Sequence, residues 1–179
     1  MVLTFAGKDS LHVSSTSDET VGGSGKTPIV TALAARYDNV AVVLRGYGRK
    51  SQGLVVVSDG KKILVDVDES GDEAMLYATV LPRAVVIVSE KREAAIEKAK
   101  ELGCQCLFLD DGYNKHQINK LDILIEVETE NNFCLPAGPF RERLWRGKQA
   151  LMIKENREFR RKVTLIDATE KMVLVTAIA

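Results

Sequence analysis

The stretch Thr20-Val21-Gly22-Gly23-Ser24-Gly25-Lys26-Thr27 has the residue types needed to hold a polyphosphate. Glycines let backbone N–H groups curl around phosphate oxygens, a lysine reaches the outer phosphates, and a terminal hydroxyl suits Mg²⁺. The pattern is close to G-x-x-x-x-G-K-[ST], with Thr20 where the first glycine would stand. A helix is expected to start here, and its positive end adds to anion binding. Pro28 falls in its first turn, where the missing N–H costs little. Nucleotide binding by this P-loop is therefore the first expectation, with a plain flexible glycine turn as the alternative.

A second chemical signal is Leu107-Phe108-Leu109-Asp110-Asp111-Gly112, an apolar run that ends in acid. A buried strand ending this way leaves a carboxylate at the sheet edge, facing a metal beside the P-loop. Either Asp110 or Asp111 fits that place. Ser70-Gly71-Asp72-Glu73 opens a helix with the spacing of a capping box. Asp72 is also a candidate base for an attacking hydroxyl, because phosphoryl transfer needs a carboxylate to orient or accept that proton. Arg45-Gly46-Tyr47-Gly48-Arg49-Lys50 follows another apolar run and suits phosphate or sugar recognition, or is simply a solvated basic loop. Leu135-Pro-Ala-Gly-Pro139, with Arg141, Arg143 and Arg146 around the only tryptophan, Trp145, suits anionic lipid, a phosphate or an exposed helix face. Asn119-Lys120-Leu121-Asp122 spells a guanine-reading motif. Its apolar run, Ile123 to Ile125, follows rather than precedes it, so the match is discounted.

The elements that must position these residues alternate. Val40 to Leu44, Ala84 to Val88, Cys106 to Leu109 and Ile123 to Ile125 are continuously apolar, as strands buried on both faces require. Helical spacing runs through Ile29, Val30, Leu33, Ala34 and Tyr37. It recurs from Lys91 to Leu102, with Gly103 placed to end that helix. Leu11 to Ser15 is the candidate strand before the P-loop. Leu54–Val57 and Ile63–Val65 around Asp59-Gly60 predict a β-hairpin excursion near 53–66. Arg141 to Arg161 reads as a charged helix, and Val163–Ile166 and Met172–Ile178 as strands. The expected fold is an α/β, P-loop NTPase-like domain with a mostly parallel sheet flanked by helices.

Composition excludes other classes. Hydrophobic residues make up 45% and charged residues 28% of 179, ordinary for a globular chain. Lys+Arg and Asp+Glu both number 25, so no bulk charge recruits nucleic acid. Cys104, Cys106 and Cys134 with His12 and His116 are a poor inventory for zinc or disulfides, which makes the cytosol the natural compartment. No signal-peptide pattern is visible, and no run approaches the about 18 apolar residues of a membrane helix.

Taken together, Val21-Gly-Gly-Ser-Gly-Lys-Thr-Pro28, Arg45-Gly-Tyr-Gly48, Gly71-Asp-Glu73, Asp110-Asp-Gly112 and Leu135-Pro-Ala-Gly-Pro139 with Arg141-Glu142 resemble the tetraacyldisaccharide 4′-kinase family of lipid A biosynthesis. The resemblance runs from about Thr20 to Ala179, and that family tolerates Ser or Thr at the position of Thr20. It implies transfer of the γ-phosphate of ATP to the 4′-hydroxyl of a tetraacyldisaccharide 1-phosphate, with Mg²⁺, at the cytoplasmic face of the inner membrane. No obligate protein partner is implied. By the same resemblance Thr20 to Thr27 bind nucleotide, Thr27, Asp110 and Asp111 serve the metal, and Lys26, Asp72, Asp110 and Asp111 are catalytic. Arg45, Tyr47, Arg141 and His116 would meet the acceptor. His116 lies one place later than the family's histidine after Asp-Asp-Gly. The chain resembles the family's P-loop domain, with 20–126 as nucleotide-binding core and 127–179 as part of a C-terminal extension. By this resemblance the sequence is expected to be short of the family's apolar N-terminal helix and of its C-terminal lobe. Two other readings stay open: a P-loop kinase or NTPase for a soluble small molecule, and a non-catalytic nucleotide-binding fragment.

Overall fold

The computed structural model describes residues 2–5, 13–16, 25–126 and 150–162, with Phe133 and Ala137. In chain order these form β1 (Val2–Phe5), β2 (Val13–Thr16), α1 (Lys26–Ala34), β3 (Val40–Leu44), β4 (Val55–Asp59), α2 (Val67–Ser70), α3 (Asp72–Val80), β5 (Val85–Val88), α4 (Arg92–Glu101), β6 (Cys106–Asp110), β7 (Leu121–Glu126) and β8 (Ala150–Lys154). The strands make one sheet in the order β4-β5-β3-β6-β1-β2-β7-β8. The pairings β5–β3–β6 and β2–β7–β8 are parallel, while β4 and β1 run antiparallel to their neighbours. This is the expected mostly parallel α/β sheet, with two reversed strands.

Its centre follows from the valine-rich runs. Every residue of β3, β5 and β6 is buried. Because side chains alternate between faces, both faces of the central sheet must be covered. Helices α1 and α3 pack together, α1 over β3 and β6 and α3 over β5, while α4 packs on β3 and β5. Phe108 fills the core beside Tyr37, with ring centroids 6.1 Å apart. The stop after α4 forms as anticipated: Cys104 N donates to Ala99 O at 3.0 Å and Gly103 N to Lys100 O at 2.9 Å.

Residues 53–66 form the expected hairpin: β4 is the sheet's edge strand against β5, and the return arm pairs back on β4 through the Ser58–Ile63 bridge, with Leu64 N donating to Val57 O at 2.8 Å. The Asp-Gly turn itself forms, with Lys61 N and Lys62 N both donating to Asp59 Oδ1 at 2.9 Å. Val57 is the buried anchor and Val65 packs partly against the core, while Ile63 and Leu64 stay exposed. Three expectations change. The strand before the P-loop lies two residues later at its start than Leu11, at Val13–Thr16. Within the charged stretch read as a helix, Ala150–Lys154 is a strand, parallel to β7. Residues 141–149 and the strands expected at Val163–Ile166 and Met172–Ile178 lie outside the described residues.

The last change concerns the capping box. Ser70 does not cap α3, because it first ends α2, where its hydroxyl donates to Asp66 O at 2.8 Å. The start of α3 rests on Gly71 instead, at φ 82 and ψ 155. A Cβ there would lie 2.8 Å from Tyr47 O, so only glycine lets the 45–50 loop seat against the helix start. Gly71→Ala is therefore expected to lower stability by about 1–3 kcal/mol. Urea denaturation checks this, and an unchanged midpoint contradicts it.

Candidate functional site

Three adjacent strands, β5, β3 and β6, deliver their carboxyl ends to one edge of the sheet. In α/β folds this edge is where ligands bind. From β3 comes the 45–53 loop, from β5 Ser89 to Arg92, and from β6 Asp110 and Asp111. Helix α1 brings Lys26 and Thr27 in its first turn, with Gly25 before them at φ 87. Thr20 to Ser24 lie outside the described residues.

The centre is an ion pair: Lys26 Nζ lies 2.6 Å from Asp111 Oδ1. Asp111 reaches it with a positive φ of 49, a conformation aspartate tolerates better than most residues. Burial alone would lower the pKa of Lys26. Asp111 and Asp110, with a smaller share from Glu73, outweigh that and raise it. Asp110 is buried, and its carboxylate accepts from Tyr77 Oη at 3.0 Å and from Asp111 N at 3.0 Å. Tyr77 also shares a hydrogen bond with the Thr27 hydroxyl, so one phenol ties the P-loop helix to the β6 acid. Its own ionisation is pushed up by burial first, then by Asp110 and Glu73. Arg92 is buried beneath the strand ends, donating to Ser89 O at 2.7 Å and Asp110 O at 3.1 Å.

Glu73 completes the cluster. It hydrogen-bonds Asp110, and its pKa is pushed up to about 7 by the loss of water around the carboxyl, then by repulsion from Asp110 and Asp111. The residue as a whole is still exposed, so the carboxyl sits at the rim rather than sealed inside. Asp72 stands next to it at the first position of α3, exposed, and its side chain makes no hydrogen bond or ion pair among the described residues. Thus α3 turns Glu73 and Tyr77, four residues apart, toward the acids, and leaves Asp72 at the mouth.

Beside Asp111 lies a cavity of about 60 Å³ lined by Arg45, Tyr47, Glu90, Arg92, Asn114 and Lys115. The Arg45 guanidinium sits 5.4 Å from the centre of the exposed Tyr47 ring. His116 is exposed and packs edge-on to Tyr113, with ring centroids 6.2 Å apart. Lys120, buried, ion-pairs with Asp122 at the start of β7 and donates to Tyr113 O at 3.1 Å. The guanine-motif look-alike is therefore a structural pair. Arg141 lies outside the described residues. Cys104 and Cys106 are buried, which pushes their thiols up to about 11 and about 12, so they stay protonated.

The structure brings Lys26, Thr27, Asp110 and Asp111 together, and places Arg45 and Tyr47 at the adjoining cavity. Sequence reading missed Tyr77 and Arg92, and read Glu73 only as a cap. Their one signal was spacing: Tyr77 is one helical turn after Glu73, and Arg92 opens the helix after a buried strand.

Among the described residues no helix is long and apolar enough to cross a membrane.

A P-loop helix start facing a strand-end acid pair across a parallel sheet defines a P-loop, nucleotide-binding α/β fold of the kinase type. Comparison with known proteins narrows this. The family model described as tetraacyldisaccharide-1-P 4′-kinase matches residues 10–178, and the chain belongs to that family. It is 53% identical over 148 residues to the tetraacyldisaccharide 4′-kinase of Aliarcobacter butzleri, covering 81% of this chain and 47% of that protein. To the Helicobacter pylori (strain J99) protein of the same name it is 50% identical over 161 residues, covering 88% and 51%. Among solved structures, LpxK from Aquifex aeolicus in complex with ATP superposes with a TM-score of 0.64 at 35% identity, covering 73% of this chain and 43% of that one. The chain spans about half the length of the curated relatives it matches.

The raised Glu73 pKa has a consequence for stability. Between its ordinary value of 4.5 and about 7, the folded chain keeps a proton that the unfolded chain has lost. Stability should then fall as pH rises through that window. In metal-free protein, Glu73→Gln is expected to flatten this part of the pH–stability profile measured by chemical denaturation. An identical slope in both proteins contradicts it.

Proposed function

We propose that this chain is the nucleotide-binding part of an ATP-dependent kinase that phosphorylates the 4′-hydroxyl of a tetraacyldisaccharide 1-phosphate, a lipid A precursor. The observation that carries the reading is the Lys26–Asp111 pair with Asp110 at the carboxyl edge, in a chain of this family. Residues 20–126 form the core, and 127–179 begin a C-terminal extension. The work would be done at the cytoplasmic face of the inner membrane, by peripheral contact.

In this mechanism the amides of 20–25 and the dipole of α1 hold the phosphates of ATP, and Lys26 reaches the β- and γ-phosphates. Lys26 exchanges its Asp111 partner for phosphate oxygens as the nucleotide arrives. The oxygen-only donor set of Thr27, Asp110 and Asp111 fits Mg²⁺, which favours one or two carboxylates plus substrate phosphates. When bound there, Mg²⁺ would neutralise charge on the β- and γ-oxygens. Asp110 and Thr27 are linked through the Tyr77 hydroxyl that both bond. Asp72, at the open mouth, takes the proton of the acceptor hydroxyl. The acceptor oxygen then bonds the γ-phosphorus, the bond to the β-phosphate oxygen breaks, and ADP leaves. Arg45 and Tyr47 wall the acceptor side, with Arg141 and His116 as further contacts to the disaccharide.

The test is transfer of labelled γ-phosphate from ATP to tetraacyldisaccharide 1-phosphate in detergent micelles. Lys26→Ala is expected to abolish product, and Asp72→Ala to cut transfer by roughly 10²-fold or more with Mg-ATP affinity nearly intact. Equal turnover in Lys26→Ala would remove the phosphate-loop assignment. Full activity in Asp72→Ala would remove the base, and transfer to soluble sugars alone would place the acceptor outside the lipid class.

A further inference from the structure

Arg49 is the least expected residue of the basic loop. A solvated cation was one reading, yet its side chain is only 3% exposed. Its guanidinium donates to Ser51 Oγ at 3.0 Å and Gly53 O at 2.6 Å, and ion-pairs with Glu90 just past the end of β5. The stem runs directly under Gly46, where a Cβ would lie 2.6 Å from Arg49 Cδ and 2.9 Å from Nε. Gly46, at φ 76, is thus the gap through which the arginine crosses its own loop.

The far side of the loop grips α2, the short helix that leads through Gly71 into α3. Lys50 N donates to Asp68 O at 2.7 Å, the Lys50 ammonium pairs with Asp68, and the Ser51 hydroxyl donates to Glu69 O. The Tyr47 carbonyl faces Gly71, immediately before Asp72. One loop therefore spans from the β5 end to the α2–α3 junction, and between those supports it carries Arg45 and Tyr47 into the cavity beside Asp111.

We infer that Arg49 is a positioning residue for the acceptor: its fork, anchored on Glu90, Ser51 and Gly53, sets the loop that aims Arg45 and Tyr47 and seats Asp72. A planar fork with several fixed donors suits this task, and lysine would not replace it. The inference rests on the kinase reading for its effect on turnover, but the anchoring of the loop is independent of it.

The experiment compares Arg49→Ala and Glu90→Gln with wild type, by steady-state kinetics and by amide hydrogen exchange across residues 45–53. The expected result is a fall of about 10²-fold in kcat/KM for the disaccharide acceptor, the scale of a misplaced reactant. The KM for ATP should stay within about twofold, because the P-loop is untouched. Exchange at Lys50 and its neighbours should accelerate as the loop opens locally. Unchanged acceptor kinetics, or ATP and acceptor constants that move together, would overturn the inference. If wild type phosphorylates no disaccharide, the kinase reading fails. Exchange then decides alone, with unaltered rates in both variants refuting the anchor. Should Arg49→Ala not fold, Glu90→Gln carries the same comparison with the arginine in place.

Discussion

A lysine ammonium held 2.6 Å from a carboxylate, with two further acids close by, is the constraint to which the rest of this sheet edge answers. Such charges lose solvation as they are gathered, and the loss is offset only where geometry and extra hydrogen bonds are good. The fold supplies both. Strand β6 is buried along its whole length and so fixes the height of Asp110. Tyr77 and the Asp111 amide satisfy the Asp110 carboxylate, and Arg92 holds its carbonyl from below. Asp111 then turns through its positive φ toward the start of α1. Lys26 and the buried Arg92 face three acids, and Glu73 at the rim relieves the remaining negative charge by keeping its proton up to about pH 7. On the proposed reading, a phosphate entering this site would meet a lysine already engaged and carboxylates that repel it, and a divalent cation arriving with the phosphate would reverse both effects.

The same edge carries Arg45 and Tyr47, the proposed acceptor side, on a loop and not on a strand. Arg45 and Tyr47 lie beyond the last hydrogen-bonded residue of β3, where nothing in the sheet would hold them. The arginine passing beneath Gly46, and Gly71 receiving the Tyr47 carbonyl, replace that lost support with side-chain and backbone contacts. The loop and the start of α3 are thereby placed by a single set of contacts, so an error in one moves the other.

Much of this was legible in the residues. Val40 to Leu44 and Cys106 to Leu109 are apolar at every position, and such runs have few options other than a central strand. The glycines and lysine of the P-loop carry their chemistry in their spacing. What stayed hidden shares a cause: local pattern and tertiary role pointed in different directions. Ser70 and Glu73 satisfy a capping-box spacing, but Ser70 is claimed by α2, and Glu73 is turned to the acids by packing that no local rule encodes. Tyr77 looks like any core aromatic until Asp110 is brought across from 33 residues away. The Ala150–Lys154 strand is short and set among charges, so helical composition masked it.

On the proposed mechanism Lys26 is held by Asp111 until a nucleotide and cation displace it together, and calorimetric titration of metal-free ATP into wild type and Asp111→Asn puts this to the test. Tighter metal-free binding is expected in Asp111→Asn, because the substitution frees the lysine and removes a repelling carboxylate, with a smaller gain on adding magnesium than in wild type. Metal-free affinity in Asp111→Asn equal to or weaker than wild type, with an undiminished magnesium effect, would contradict it.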